Sequence, residues 1–477
     1  MAIPKVGITV QDGAFGIVAP SQANRCAVVG PAKSGALNTP ILCGSIKAVV
    51  ETFEADPAAE AAASIIQRAG GDVLVVRSDA VAGDFNEDDA FVGTGTSAIS
   101  LTGSPVDGYD VVFSVATGGT IGVTGIKFTV SLDNGATNGG VQSLGTASTY
   151  AVPGTGITFN FGSGTLVAGD KFTQTTIAPQ SSAAHLEDAL TALGASPREF
   201  GYVLVCGDMT ASTFDQVASS VGGFANAYRY VSALGNVLMR GLDQADSAYQ
   251  ASSAITSLAG KANLRLVVGA DGGRLISPIT SRKLRRPASW FAAAEGAAFP
   301  LAESAAQVDH GPLPNVDVFD QNGNVVFHDE FTQPGLNELR FLTLRTIIGK
   351  PGAYVTKPNI FGVPGSDFTD WHYRRVMDEA CRITYAVLVD YMSKGVRLDK
   401  ATGYILEQDA RGIESAVNSA LRNGLTAKQQ ISNAACAVSR TDDILATKTI
   451  NVAVRILPLG YLEDIEVNIG FTNPALA

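Results

Sequence analysis

The segment Val29-Gly30-Pro31-Ala32-Lys33-Ser34 invites a phosphate-loop reading. In such a loop, glycines let backbone N–H groups cradle the phosphates while a lysine and a hydroxyl reach them. The motif needs Gly, four residues, then Gly-Lys-Ser/Thr, and here Ala27 and Ala32 stand where the glycines should be. Asn38-Thr39-Pro40 then leads into a strand instead of a helix N-terminus, so no helix dipole is offered to an anion. No serine has glycines two residues before and two after it, which removes the nucleophile elbow. His185, His310, His328 and His372 are far apart and lack metal-ligand spacing. His328-Asp329-Glu330 gathers three polar groups, but neighbours on a strand alternate in direction, so the triplet reads as an exposed turn. No carboxylate pair sits in a context that implies acid–base work. Without a positioned nucleophile, base or ligand set, the sequence points away from an enzyme and from any cofactor or metal.

One basic cluster, Arg282-Lys283-Leu284-Arg285-Arg286, stands in a chain of net charge −11. It reads either as a solvated loop or as a contact for an acidic patch on a partner or on another copy. Lys394, Arg397 and Lys400 carry the same two readings. The acidic balance repels phosphate backbones and argues against nucleic acid as the main partner. No apolar run reaches the roughly 18–20 residues that span a bilayer, and Met-Ala-Ile-Pro-Lys-Val-Gly at the start offers no signal core, so neither membrane nor secretion is expected. Cys26, Cys43, Cys206, Cys381 and Cys436 are scattered, without a C-x-x-C pair. They read as small core residues of a chain folded in a reducing compartment, with an interchain disulfide as the alternative.

The elements that would carry any site follow from periodicity. Cys26-Ala27-Val28-Val29 is a buried-strand run. Ser45 caps a helix with Ile46, Val49, Val50 and Phe53 on one face, and Asp56-Pro57 starts a second helix that ends at Gly70-Gly71. Val73-Leu74-Val75-Val76 is the next buried strand. The same alternation returns after residue 180: a helix from Ser182 to Leu193, strand 202–206, helix 214–227, strand 230–234, helix 243–258 and strand 264–268. This implies a mostly parallel, helix-covered sheet.

Between these halves, residues 81–179 change character. Gly, Thr, Ser and Asn dominate, strands are expected at 109–115, 126–130, 157–161 and 170–177, and Asp133-Asn134-Gly135 is a hairpin signal. Further on, strand-like pieces at 316–319 and 325–327 precede a long helix over 368–392. Arg374–Asp378, Arg375–Glu379 and Asp378–Arg382 are i,i+4 pairs expected on its solvent face. Another helix covers 405–422. Both ends are strand-patterned: Val6, Ile8 and Val10 at the front, Ile450, Val452, Val454 and Ile456 near the end, then Ile465, Val467, Ile469 and Phe471 after a turn at Pro458-Leu459-Gly460. A lone strand ahead of a domain needs a sheet edge, in its own chain or in a neighbour.

The fold class read from this is α/β plus β. A mostly parallel sheet is interrupted by an inserted all-β domain, followed by an α+β C-terminal domain, with extended arms at both termini. The expected divisions are an arm at 1–19, an α/β core at 20–80 and 180–305, the insertion at 81–179, the α+β domain at 306–448 and closing strands at 449–477.

Val28-Val29-Gly30-Pro31-Ala32-Lys33-Ser34-Gly35, Asn38-Thr39-Pro40 and Gly70-Gly71-Asp72-Val73-Leu74-Val75-Val76-Arg77 resemble, in order and spacing, the opening of contractile phage tail sheath proteins. Residues 335–471 resemble the family's ending: a mixed region, a long helix, a second helix and two closing strand runs parted by a proline. Trp371-His372-Tyr373-Arg374-Arg375 approximates the family's Arg-Arg segment after a tryptophan, while 81–178 lies outside the shared core. The resemblance implies a structural virion protein of a phage tail or related injection machine, assembled in the host cytoplasm. It implies a helical homopolymer around a tail tube, with baseplate and tail terminator proteins as further partners, whose contraction drives the tube through the host envelope for genome ejection. It also implies that the terminal arms pair with neighbouring subunits, and it makes the tube or a neighbour the expected partner of the basic residues named above. The alternatives are a tail or surface adhesin that binds a host glycan through 81–179, and a nucleotide-using α/β enzyme.

Overall fold

Cys26–Pro31 forms β1, buried at all six positions. The computed structural model of the chain describes residues 22–242, 244–318, 327–363, 365–463 and 465–471. β2 (Pro40–Cys43), α1 (Ile46–Phe53), α2 (Pro57–Ala69) and β3 (Val73–Ser78) follow. The Ser45 side chain accepts from the Ala48 N–H at 3.2 Å, and Asp56 accepts from Ala59 at 3.0 Å, so each cap satisfies a donor the helix cannot. α2 ends at Gly70, whose φ of 67° is the left-handed turn that glycine takes without cost.

The chain leaves this sheet after β3 and re-enters it at α3 (Ala183–Ala195), β4 (Tyr202–Asp208), α4 (Ala211–Asn226), β5 (Ser232–Asn236) and β6 (Leu266–Gly269). The strand order is β6-β5-β4-β1-β3-β2, parallel throughout except for β2 at the edge. Alternation assigns the two faces. Val28, Val75 and Leu204 pack with α1 and α2 residues, while Val29, Val76 and Val205 pack with α3 and α4 residues. A Cβ on Gly30 would lie 2.5 Å from the Cys206 Cβ, so β1 and β4 approach at a point where only glycine fits. The expected helix over 243–258 is two short helices, Asp246–Gln250 and Ser253–Thr256. Ser252 sits at the second one's N-cap, a position this residue favours over a helix interior.

Residues 84–177 form antiparallel strands with a core of their own. Asp110–Thr117 lies between Lys127–Ser131 and Lys171–Ile177, and Phe113, Phe128, Phe159 and Phe172 meet in the interior. Asn134 and Gly135 both take positive φ, as the hairpin signal requires. After β6 come β7 (Gly272–Ile276), β8 (Lys283–Pro287), α5 (Ala288–Ala298) and β9 (Val316–Asp317), with sheet order β8-β7-β9. The strand-like Val325 and Val326 lie outside the described residues.

The long helix is α6 (Trp371–Val389). Its expected solvent face is a correction: Arg374, Arg375 and Asp378 are buried. Asp378 accepts from Arg374 and, at 2.8 Å, from Arg265 ahead of β6. Arg375 donates to the Gly296 carbonyl at 2.6 Å and lies over the Trp371 ring. The expected Arg374–Asp378 pair forms, but it is buried, and Asp378 and Arg375 also bond to residues remote in sequence, which the i,i+4 pattern cannot show.

The chain divides into two units, Met1–Asp378 and Glu379–Ala477, with the division inside α6. In the second unit, α7 (Glu407–Gly424) packs Ile413 and Ala410 against Val438 and Val452. β10 (Asn433–Val438) and β11 (Val452–Leu457) form an antiparallel pair. β11 pairs upstream, with a strand whose alanines gave no strand signal.

Candidate assembly surface

The β10–β11 ribbon has two edges, and the ladder's phase decides what each presents. Ser439 N–H donates to the Asn451 carbonyl at 2.8 Å. In an antiparallel ladder that phase makes 437/453, 435/455 and 433/457 the bonded pairs and turns the N–H and C=O of the even residues outward. On β10 every outward donor is satisfied. Ala434 N–H meets Asn433 Oδ1 at 2.9 Å, Cys436 N–H meets Asn418 Oδ1 at 2.8 Å and Val438 N–H meets Glu414 Oε1 at 2.7 Å. Asn418 and Glu414 stand one turn apart on α7, and Arg440 clamps Glu414 and Glu407. Those bonds hold Glu414 and Glu407 below the usual carboxylate range, Glu407 at about 2. On β11 the outward donors of Val452, Val454 and Ile456 have no partner among the described residues. One edge is closed by a helix and the other is open.

Beyond β11 the described residues 458–463 and 465–471 take no part in a ladder among the described residues. Leu462, Ile465, Val467, Ile469 and Phe471 are exposed, Ile469 at 92%. A run of large apolar side chains in water, with strand alternation and no ladder, is a strand without its sheet. Val6, Ile8 and Val10 lie outside the described residues. Ile450 packs beside the α7 core rather than in the ladder.

The basic residues part ways. Arg286 is buried and pairs with Asp107 at 2.6 Å, with a second bond at 3.0 Å, tying β8 to the 84–177 block. It is a structural anchor, which corrects its reading as a displayed contact. Arg285 is half-buried and donates to the Arg240 carbonyl. Lys283 is exposed and Arg282 half-buried. In the second unit, Arg397 is held by Asp409 at 2.5 Å, Lys394 sits over the Tyr391 ring, and Lys400 is exposed.

The expected exposed turn at His328-Asp329-Glu330 is also corrected: His328 and Asp329 are buried at 1% exposure. His328 Nδ1 faces Asp246 at 2.9 Å, Nε2 faces Glu330 at 2.8 Å, and the backbone N–H donates to Asp271 at 2.6 Å. Burial pulls the imidazole pKa down, but bonds to Glu330 and Asp246 outweigh it and hold the ring above its ordinary value. The partners come from segments about 60–80 residues away, so adjacency in sequence gave no hint of this network. At the loop resembling a phosphate cradle, Asp56 occupies the α2 N-terminus and accepts from the Lys33 N–H, while Lys33 Nζ pairs with Glu54 at 2.5 Å. Burial lifts the Asp56 carboxyl to about 7. The donors that would meet a phosphate already meet a carboxylate.

Two family models cover the chain: DUF2586, N-terminal domain, over residues 3–359, and DUF2586, C-terminal domain, over residues 367–476. The chain belongs to the DUF2586 family. Among curated proteins none matches it. By fold, this DUF2586 chain is similar to a chain of the anti-feeding prophage baseplate, with TM-score 0.53 at 12% identity, over 99% of this chain and 100% of that one. It is also similar to the anti-feeding prophage helical sheath in its contracted state, with TM-score 0.52 at 13% identity, over 98% and 99% of the two chains. The DUF2586 chain thus has the fold of contractile-sheath proteins, a fold whose solved examples here are sheath and baseplate parts and not enzymes. Neither is described as a carbohydrate-binding protein, so the adhesin reading gains no support.

Proposed function

We propose that the chain is a tail sheath subunit, which polymerises helically around a tail tube and contracts to drive that tube through a host envelope. The observation that carries this is the open β11 edge together with the exposed, alternating 465–471 tail. Strand addition uses backbone hydrogen bonds, which survive large rigid-body movements of the attached domains. A tail of one copy on the edge of the next is a head-to-tail contact, and such contacts generate an open helix when they do not close. By their alternating sequence pattern, Val6–Val10 and 465–471 are the segments assigned to this edge in this reading. Contraction then re-packs the globular parts while the strand joints persist, from an extended state held behind a kinetic barrier.

The same reading assigns 20–80 with 180–305 to a sheath core, 81–179 to an inserted domain, 306–448 to the C-terminal domain and the two ends to arms. The partners are other copies, the tube protein, the baseplate and the terminator, in a phage tail or related injection particle assembled in the host cytoplasm. Removing residues 1–12, or residues 465–477, tests it: sedimentation and electron microscopy should show loss of long polymers with the fold retained. Normal polymers from both truncations would overturn the reading.

A further inference from the structure

A cavity of about 510 Å³ opens in the first unit beside the β8-β7-β9 sheet. Ile276, Val316, Val318 and Ala353 give it apolar walls, and Arg274, Lys283, Asn315 and Asp317 give it polarity. Arg274, on β7, is 5% exposed, and its Nε is buried without a hydrogen-bond partner. No ion pair or hydrogen bond of its guanidinium occurs among the described residues. Three other arginines buried in this unit are paired with carboxylates, Arg286 with Asp107 at 2.6 Å, Arg240 with Asp246 at 3.2 Å and Arg374 with Asp378, and the fourth, Arg375, donates to Asn24 Oδ1 and the Gly296 carbonyl. A guanidinium cannot shed its proton, so burial without a carboxylate leaves a standing cost that a bound anion removes.

The charges around Arg274 do not supply that anion. Asp110 feels Arg285 and Arg274 without bonding either, and burial pushes its carboxyl towards the neutral form. Asp133 lies nearby but is taken up by Thr137, Ser131 and the Lys283 N–H. Asp317 stands opposite Arg274 across the ladder and is exposed. Lys283 adds a second positive charge at the cavity lining.

We propose that this cavity is a carboxylate receptor, in which Arg274 grips the two oxygens side by side and the apolar walls hold the stem behind them. The planar fork of arginine matches a carboxylate bidentately. The neighbouring acids Asp317 and Asp110 disfavour a phosphate dianion, and the apolar lining favours a single charge on an aliphatic stem. Such a group reaches the site either as an acidic side chain of another copy, available in quantity on a chain with 45 Asp and Glu against 34 Lys and Arg, or as a free small carboxylate.

The test titrates the unassembled full chain with sodium hexanoate against sodium chloride at equal ionic strength. The wild type should show a melting temperature that climbs with the logarithm of hexanoate concentration. Arg274→Gln should lose the climb, and Lys283→Gln should weaken binding by about tenfold or less. Should Arg274→Gln fold poorly, Ala136→Phe fills the cavity lining without touching the guanidinium and should also abolish the response. A second arm asks where the carboxylate comes from. Polymers that dissolve in hexanoate and fail to form in Arg274→Gln identify a neighbouring copy. Polymers indifferent to both, beside a clear shift, identify a free ligand. A wild-type chain that hexanoate does not stabilise overturns the receptor, whatever the polymers do, so this result is separable from failure of the sheath reading.

Discussion

Val454→Pro on the open strand is the sharpest perturbation of the proposed joint. The Val454 N–H points away from β10, so replacing it removes no ladder bond within the chain. Proline is tolerated at such edge positions. An added strand opposite β11 would use the outward groups of Val452, Val454 and Ile456, about six hydrogen bonds. Proline deletes one, worth about 0.5–1.5 kcal/mol net, and leaves a carbonyl of the incoming strand unsatisfied for about 1–3 kcal/mol more. The sum, about 1.5–4.5 kcal/mol, weakens each joint by about tenfold to about two-thousandfold. Helical polymers multiply that loss over every subunit. The assay is the concentration at which polymers first pellet, with circular dichroism and melting to confirm an intact fold. Ala453→Pro is the internal control: its N–H lies in the ladder opposite Ala437, so it should damage the ribbon itself. A folded Val454→Pro chain that polymerises at the wild-type concentration would refute the reasoning.

Ile469→Asp with Phe471→Asp should leave melting unchanged, since both side chains stand in water, yet abolish polymers; unchanged pelleting would show that the tail is not a joint. Asp107→Asn strips Arg286 of its buried partner and should lower stability by about 3–5 kcal/mol in denaturant titration. A loss under about 1 kcal/mol would rank the pair with surface bridges. His328 titrates above its ordinary value in the fold, so its contribution is complete below pH about 6.5 and fades as pH rises through the folded value. Asp56, lifted to about 7, loses stability in the same direction as it ionises. Stability should therefore fall from about pH 4 to about pH 7 through Asp56 and from about pH 6.5 upward through His328, and His328→Gln should flatten the upper limb while leaving the lower one; an unchanged upper limb would contradict the doubly bonded imidazolium.

What could be read from sequence was what is local. β1, β3 and β4 are continuous apolar runs because helices cover both faces of the sheet, and that signal needs no tertiary knowledge. Ser45, Asp56 and Ser182 announced their helices because a cap is a bond over three residues. β10 was invisible because Asn433-Ala434-Ala435-Cys436-Ala437-Val438 is weak in strand formers, and its edge is completed by α7 side chains. Asp378 and His328 looked solvated because their partners, Arg265 for the one and Asp246 and Asp271 for the other, are remote along the chain. The 465–471 alternation was plain, but half of the site proposed for it would belong to another molecule. The closed β10 edge, which makes the ribbon one-sided, depends on hydrogen-bond phase and is not encoded in residue type alone.

The central claim is that the free edge of the second unit is completed by a strand from a different copy. Cryo-electron microscopy of polymers grown from the purified chain tests it directly. The account expects a foreign strand hydrogen-bonded along Val452–Ile456, with β10 still covered by Asn418 and Glu414. A map in which that edge is bare, or is covered by the same chain's own tail, would contradict it.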